Sequence, residues 1–289
     1  MRHTKVAEEQ CQLAEVQFLL DEKPLKYYFN DLQGKVGNFP YQYLVPKFKG
    51  ENIPEHVEKM LKQVSERPFR KFIELEWHAT LFFEALIWRF LCTEFLENPF
   101  KLWGEDAETG SVLGRIASGE CGGDTNRLAS WRAHTGQLLY DCPIKDTKIQ
   151  GLQESLFQLI NPFIIEEKKD KMEIDIKADL SKLLQSAFEV ARHMTRYRSR
   201  VQVQSKGPSD PGEVARSFDG KWMDIGAASI GDHKDIDLLY APALVTYGKL
   251  DGSDVEHMRV LGKALVCYRN GSMFYTTDEY REKWGKKMG

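Results

Sequence analysis

The chain has 289 residues, 42% hydrophobic and 29% charged, a mixture that can bury a core and excludes global disorder. Its formal net charge of −3 and pI near 6.2 exclude any overall attraction to nucleic-acid phosphates or to an anionic membrane, so such binding would need a local patch. Five cysteines (Cys11, Cys92, Cys121, Cys142, Cys267) lie scattered without a CxxC pair, which indicates neither a disulfide framework nor a zinc module and points to a reducing compartment.

The first nine residues are polar and charged where a secretory signal would be apolar, so an intracellular location, cytoplasm or nucleus, is expected. From Lys5 to Leu20 the apolar residues Cys11, Leu13, Ala14, Val16, Phe18 and Leu20 predict a first helix, with Pro24 marking its end. Tyr27 to Gly50 is aromatic and carries Gly and Pro, and it reads as an ordered crossing segment. Pro54 opens a short amphipathic helix through Val57, Met60, Leu61 and Val64.

After Pro68 the run FRKFIELEWHATLFFEALIWRFLCTEFLEN is apolar on nearly every side, which predicts a helix packed by neighbours all round. Its charges, among them Glu74, Glu76, Glu84, Arg89 and Glu94, exclude a transmembrane span. Pro99 to Gly123 reads as loop with a short helix at Val112 to Ala117. Asp124 then caps a helix carrying Leu128, Trp131, Leu138 and Leu139, with Arg127 and Arg132 on its more polar side. A further amphipathic helix spans Asp146 to Ile160 and is stopped by Pro162.

The charged run Glu166 to Glu173 reads as a solvated connection, and Asp179 as the cap of a helix ending in Arg196, Arg198 and Arg200. VQVQ alternates like a strand. SKGPSDPGE, residues 205–213, is turn-rich and reads as a linker or long loop. Beyond it LLYAPALVTYGK and MRVLGKALVCYRNG predict a pair of strands, in which Ala243-Leu-Val-Thr-Tyr and Ala264-Leu-Val-Cys-Tyr share a pattern. The expected architecture is mainly α: a multi-helix bundle around a central apolar helix at about 68–97, with a small C-terminal part containing a β-hairpin. Residues 1–204 form the helical body in this reading, and 205–289 a β-containing segment packed on it.

Candidate chemistry is thin. Cys121, in SGECGGD, could be an exposed nucleophile with His134 and Asp141 downstream, but no spacing rule fixes these partners and a flexible surface loop is the expected reading. His78 and Glu84 lie in the apolar helix, where a base or a hydrogen-bonded core residue would both fit. GDHKDID and LDGSD carry oxygen ligands but match no EF-hand loop, so turn and cap roles are expected and no metal site. Arg192, Arg196, Arg198 and Arg200, interleaved with Tyr197, could form a nucleic-acid face, or simply favour a helix C-terminus. Lys283, Lys286 and Lys287 read as a solvated tail. No GxxxxGK[ST], GxGxxG, GxSxG or HExxH motif occurs, and no cofactor is implied.

The segments ALIWRFLCTEFLENPFKLWG, LASWRAHTGQLL, YAPALVTYGKLDG and VLGKALVCY together resemble a pattern in uncharacterised filamentous-fungal proteins. In those proteins the Trp-Arg pairs, here Trp88-Arg89 and Trp131-Arg132, lie in helices. The resemblance covers about half the chain and implies origin and architecture, with no activity or site to carry over.

The function expected from the residues is that of a non-enzymatic interaction or scaffold protein, binding another protein or itself and no membrane. An enzyme with a site between the helical body and the C-terminal strands, using His78, Glu84 or Cys121, is the alternative. A nucleic-acid-associated role through residues 192–200 is the third.

Overall fold

The structure is a computed structural model that describes residues 21–44, 53–62, 64, 76–103, 107–119, 124–205, 217–226, 236–249, 253–254 and 256–268. The expected first helix at Lys5 to Leu20 and the linker at 205–213 fall outside these residues, apart from Ser205. Among the described residues the chain is mostly helical, with two small three-stranded sheets towards the C-terminus. No helix among them is long and apolar enough to cross a membrane.

Helix α1 is Lys23–Tyr43, 21 residues long, which corrects the reading of this stretch as a crossing segment. Pro24 lies in the first turn of this helix, where its missing N–H would have no partner anyway. Gly34, Gly37 and Pro40 suggested irregular chain, but Leu25, Phe29, Leu32, Val36, Phe39 and Tyr43 repeat at helical spacing and are all buried. Burial of one face outweighs the weak propensity of three residues.

Helix α2 is Glu55–Leu61, opened by Pro54 as expected. Helix α3, Glu76–Leu91, is buried from Ala79 onwards at every residue except Arg89. It runs into one π turn, Cys92–Leu96, and a 3-10 turn, Pro99–Leu102. It packs against α1, where the rings of Phe29 and Trp88 lie 5.6 Å apart.

Helix α4 is Ala107–Ser118, longer than the short helix expected, and α5 is Thr125–Tyr140. As the sequence indicated, the Asp124 carboxylate caps α5, accepting from the N–H groups of Asn126 and Arg127. Helix α6 is Asp146–Ile160, followed by the 3-10 turn Asn161–Phe163, in which Pro162 stops it. Helix α7 runs over 30 residues, Glu166–Thr195. The charged run is therefore backbone of α7 and not a connection, since Glu, Lys and Asp are compatible with a helix wherever the next turns are held by packing. Asp179 lies within α7 instead of capping it, and its carboxylate accepts from the Tyr43 hydroxyl at 2.6 Å. The Tyr43 and Lys35 contacts with Asp179 and Ser186, together with the Tyr28 ring on His193, show α1 and α7 running antiparallel.

Strands β1 (Arg200–Gln204), β2 (Met223–Ile225), β3 (Ile236–Ala241), β4 (Ala243–Tyr247), β5 (Met258–Gly262) and β6 (Ala264–Tyr268) follow. The expected strand pair is a single hairpin bent in the middle. Its outer half, β4 with β5, joins β1, and its other half, β3 with β6, joins β2. The bend falls at Pro242 on one arm and Lys263 on the other, each the one residue between two strands. Pro242 has no N–H to give to a continuous ladder, so the chain can change sheets there at little cost. The shared Ala-Leu-Val pattern thus lies on β4 and β6, one in each sheet.

One apolar core runs from Phe29, Phe82, Phe95 and Phe188 on the helical side to Val201, Leu238 and Leu244 on the strands. A smaller cluster holds Trp222, Met223, Val245 and Val266. The bidentate ion pair of Glu22 with Arg259, 2.8 Å and 3.4 Å, ties the start of α1 to β5.

Candidate functional site

Cys121 lies outside the described residues, as does the side chain of His78, so the nucleophile and base suggested by them have no described geometry. His134 stands on α5 with its Nδ1 2.7 Å from the carbonyl of Ser130 one turn earlier, and Asp141 is the exposed C-cap of the same helix. Of the oxygen-rich loops, Asp254 takes a left-handed backbone (φ 55) and its carboxylate lies 3.7 Å from Lys249. Among the described residues no group of three or more His, Cys, Asp or Glu side chains is placed to hold a metal.

Glu84 is 5% exposed, and its carboxyl is pushed up to about 8 by burial. It stands opposite Gly37 of α1, and among the described residues no hydrogen bond or ion pair reaches it. A second buried titratable group is His193, 7% exposed and held down to about 4 by burial and then by Arg196. Its ring stacks on Tyr28 at 4.7 Å and meets Tyr140 edge-on at 5.5 Å, while its Nε2 has no hydrogen-bond partner among the described residues. The two groups sit in separate contacts, Glu84 against α1 from α3 and His193 between α1 and α5.

The arginines are engaged with the fold. Arg192 pairs with Glu189 and donates to the Cys142 carbonyl, and Arg196 donates to Gln137 and lies 4.1 Å over the Tyr140 ring. Arg198 donates to the Ser130 hydroxyl, and Arg200 lies over the ring of Tyr247 at 4.9 Å. All four are half-buried. Arg132, placed by the sequence on the more polar side of its helix, is also half-buried and donates to the carbonyls of Ala117 and Arg198, binding the end of α4 and the chain after α7 to α5. Burial and the nearby Arg200 lower it to about 10.

The outer face of α1 is different in kind. Tyr27 is 69% exposed and Tyr41 61%, and between them the exposed residues are Asn30, Gly34, Lys35 and Asn38. A helix that packs its inner face on a core normally turns charge to solvent. Here Lys35 is the one charged residue among the exposed positions from Tyr27 to Tyr41, and it is paired with Asp31 at 2.7 Å. A β-carbon on Gly34 would meet nothing within 4 Å, so the centre of the face is flat and open. The order is symmetric about that glycine: the asparagines stand four residues to either side and the tyrosines seven. Sequence reasoning missed this face because it did not see the helix; the signal available was the exposed series at helical spacing opposite Leu25, Phe29, Leu32 and Val36.

No protein-family model, no curated protein and no solved structure matches this chain.

Proposed function

We propose that the chain is a non-enzymatic interaction protein, that the outer face of α1 is its docking surface, and that a second copy of the chain occupies it. The symmetry of Tyr27, Asn30, Gly34, Asn38 and Tyr41 carries this reading. Two α1 helices crossing antiparallel, with a two-fold axis at Gly34, set each Tyr27 against the other copy's Tyr41, about 10 Å from the axis at 1.5 Å per residue. Each Asn30 then meets an Asn38, and two glycines let the backbones approach. Tyrosine supplies large contact area at low entropic cost, and asparagine amides donate and accept to one another. The charge beside the axis, Lys35, is already paired with Asp31, which limits the cost of removing it from water.

A single helix pair buries on the order of 1,000 Å², the low end for specific association, so a dissociation constant of roughly 1 to 100 μM is expected. Sedimentation velocity over a concentration series tests this. The wild type is expected to shift from monomer to dimer, and a Tyr27→Glu/Tyr41→Glu variant to stay monomeric at every concentration. A wild type that is monomeric at 200 μM, or a variant that dimerises as well as the wild type, refutes the pairing.

A further inference from the structure

The inner face of α1 meets α3 along one stripe of side chains. On α1 the stripe is Phe29, Gln33 and Gly37, each a turn beyond the last, and on α3 it is Glu84 and Trp88, also a turn apart. Two contacts fix how the stripes meet. The ring of Phe29 lies 5.6 Å from that of Trp88, and a β-carbon on Gly37 would lie 3.6 Å from the Glu84 carboxylate. Gln33 is midway between Phe29 and Gly37, so this antiparallel register sets it opposite the turn from Glu84 to Trp88.

Each of the three side chains in the middle of the seam carries an unmet polar group. Gln33 is half-buried, yet its amide Nε2 is out of solvent and has no hydrogen-bond partner among the described residues. The indole Nε1 of Trp88, a residue 2% exposed, is likewise without an acceptor. Glu84 is 5% exposed, and no hydrogen bond or ion pair reaches it among the described residues. Buried polar groups are costly unless hydrogen-bonded, and here three of them stand on facing turns of one helix pair.

The chemistry of the three groups selects an occupant. Two are N–H donors and require an acceptor. The third is a carboxyl, which keeps an accepting oxygen whether or not it is protonated and so requires a donor. A metal cation would face the positive ends of two N–H dipoles, and an anion would face the carboxyl oxygens. A neutral molecule that accepts and donates at once satisfies all three. It must also be small, because Phe29, Leu32, Val36 and Ala85 on the same turns are buried, while Gly37 leaves out the β-carbon that would otherwise rest against the carboxyl.

We propose that the seam between α1 and α3 binds an internal water molecule, which accepts from the Trp88 indole N–H and the Gln33 amide and donates to the carboxyl of Glu84. An internal water typically makes about three hydrogen bonds to groups with no other partner, and it then belongs to the fold. The site is on the inner face of α1, away from Tyr27 and Tyr41, and does not rest on self-association.

A crystal structure of the full chain, at a resolution that shows ordered water, tests this directly. A density peak within about 3.2 Å of Trp88 Nε1, the Gln33 amide and a Glu84 carboxyl oxygen is expected. The absence of that peak, or direct hydrogen bonds among the three side chains, overturns the proposal. In solution the Trp88 indole N–H, assigned by its loss in Trp88→Phe, is expected to show a dipolar cross-peak to water in a rotating-frame Overhauser spectrum of the isotope-labelled protein. Glu84→Gln keeps an accepting oxygen and has no exchanging hydroxyl, so the cross-peak is expected to persist. Glu84→Leu removes the acceptor and puts a branched apolar end in its place, so the cross-peak is expected to vanish. A cross-peak missing from the wild type, lost in Glu84→Gln or unchanged in Glu84→Leu overturns the proposal. Where Glu84→Leu fails to fold, the wild-type crystal structure and the Glu84→Gln spectrum decide the question.

Discussion

The carboxylate of Glu84 lies 3.6 Å from where a side chain on Gly37 would begin, so the acid of α3 rests against bare helix backbone on α1 and not against a base. With a folded pKa near 8 and an ordinary value near 4.5, this carboxyl keeps its proton in the fold over a range where the unfolded chain has lost it.

The sign follows directly. Between about pH 4.5 and pH 8 the folded state binds more protons at Glu84 than the unfolded state, so its contribution to stability falls as pH rises through that window. A Glu84→Gln variant, neutral throughout, is expected to match the wild type near pH 4 and to exceed it at pH 8. Urea unfolding midpoints at the two pH values check this, and a Gln variant weaker than the wild type at pH 8 contradicts it.

His193 acts in the opposite direction. Its folded pKa near 4, against an ordinary 6.5, means the unfolded chain gains a proton first, so stability is lost as pH falls from about 6.5 to about 4. Among the described residues its Nε2 makes no hydrogen bond, so His193→Phe keeps the contacts with Tyr28 and Tyr140 and gives up no such bond at that atom. The difference in unfolding free energy between the variant and the wild type should be within ~1.5 kcal/mol at pH 7 and should move in the variant's favour by pH 4.5. Taking that difference cancels the contribution of Glu84. A difference independent of pH sinks the assignment.

Two helical glycines should respond oppositely to alanine. At Gly136 a β-carbon would run into the carbonyl of Thr195, where α5 crosses the end of α7, so Gly136→Ala must push the helices apart and is expected to cost ~1–3 kcal/mol despite its better helix propensity. At Gly34 the same change meets open space and should stabilise the monomer by ~0.5–1 kcal/mol. It should also weaken pairing through α1, because the added carbons fall on the proposed two-fold axis. Thermal unfolding at low concentration and sedimentation at high concentration measure the two effects separately.

Arg132 holds two backbone carbonyls, of Ala117 and Arg198, with the two ends of one guanidinium. Arg132→Met leaves both without that donor and should cost ~2–4 kcal/mol. Arg132→Lys should recover less than half of the loss, because an ammonium cannot present the planar fork. Full rescue by lysine would show that the charge, and not the geometry, matters at this position.

Some of this molecule is decided within a few residues of chain, and that part is legible in the sequence. Asp124 caps α5 because its carboxylate needs only the two N–H groups just after it, and Pro54 and Pro162 mark a start and a stop through their own rings. The alternation in Arg200–Gln204 and the paired runs that become the bent hairpin follow from side chains pointing to opposite faces at every step. What the tertiary structure decided is where distant segments meet. Helix α1 exists in spite of Gly34, Gly37 and Pro40 because α3 and α7 cover its inner face, and α7 continues through a charged run because its later turns are held against α1. Glu84, His193 and Arg132 differ from ordinary acid, base and surface cation only through what packs on them, 47, 165 and 66 residues away in Gly37, Tyr28 and Arg198. Local backbone chemistry is written in neighbouring residues, whereas desolvation and charge placement depend on segments that the chain brings together only on folding.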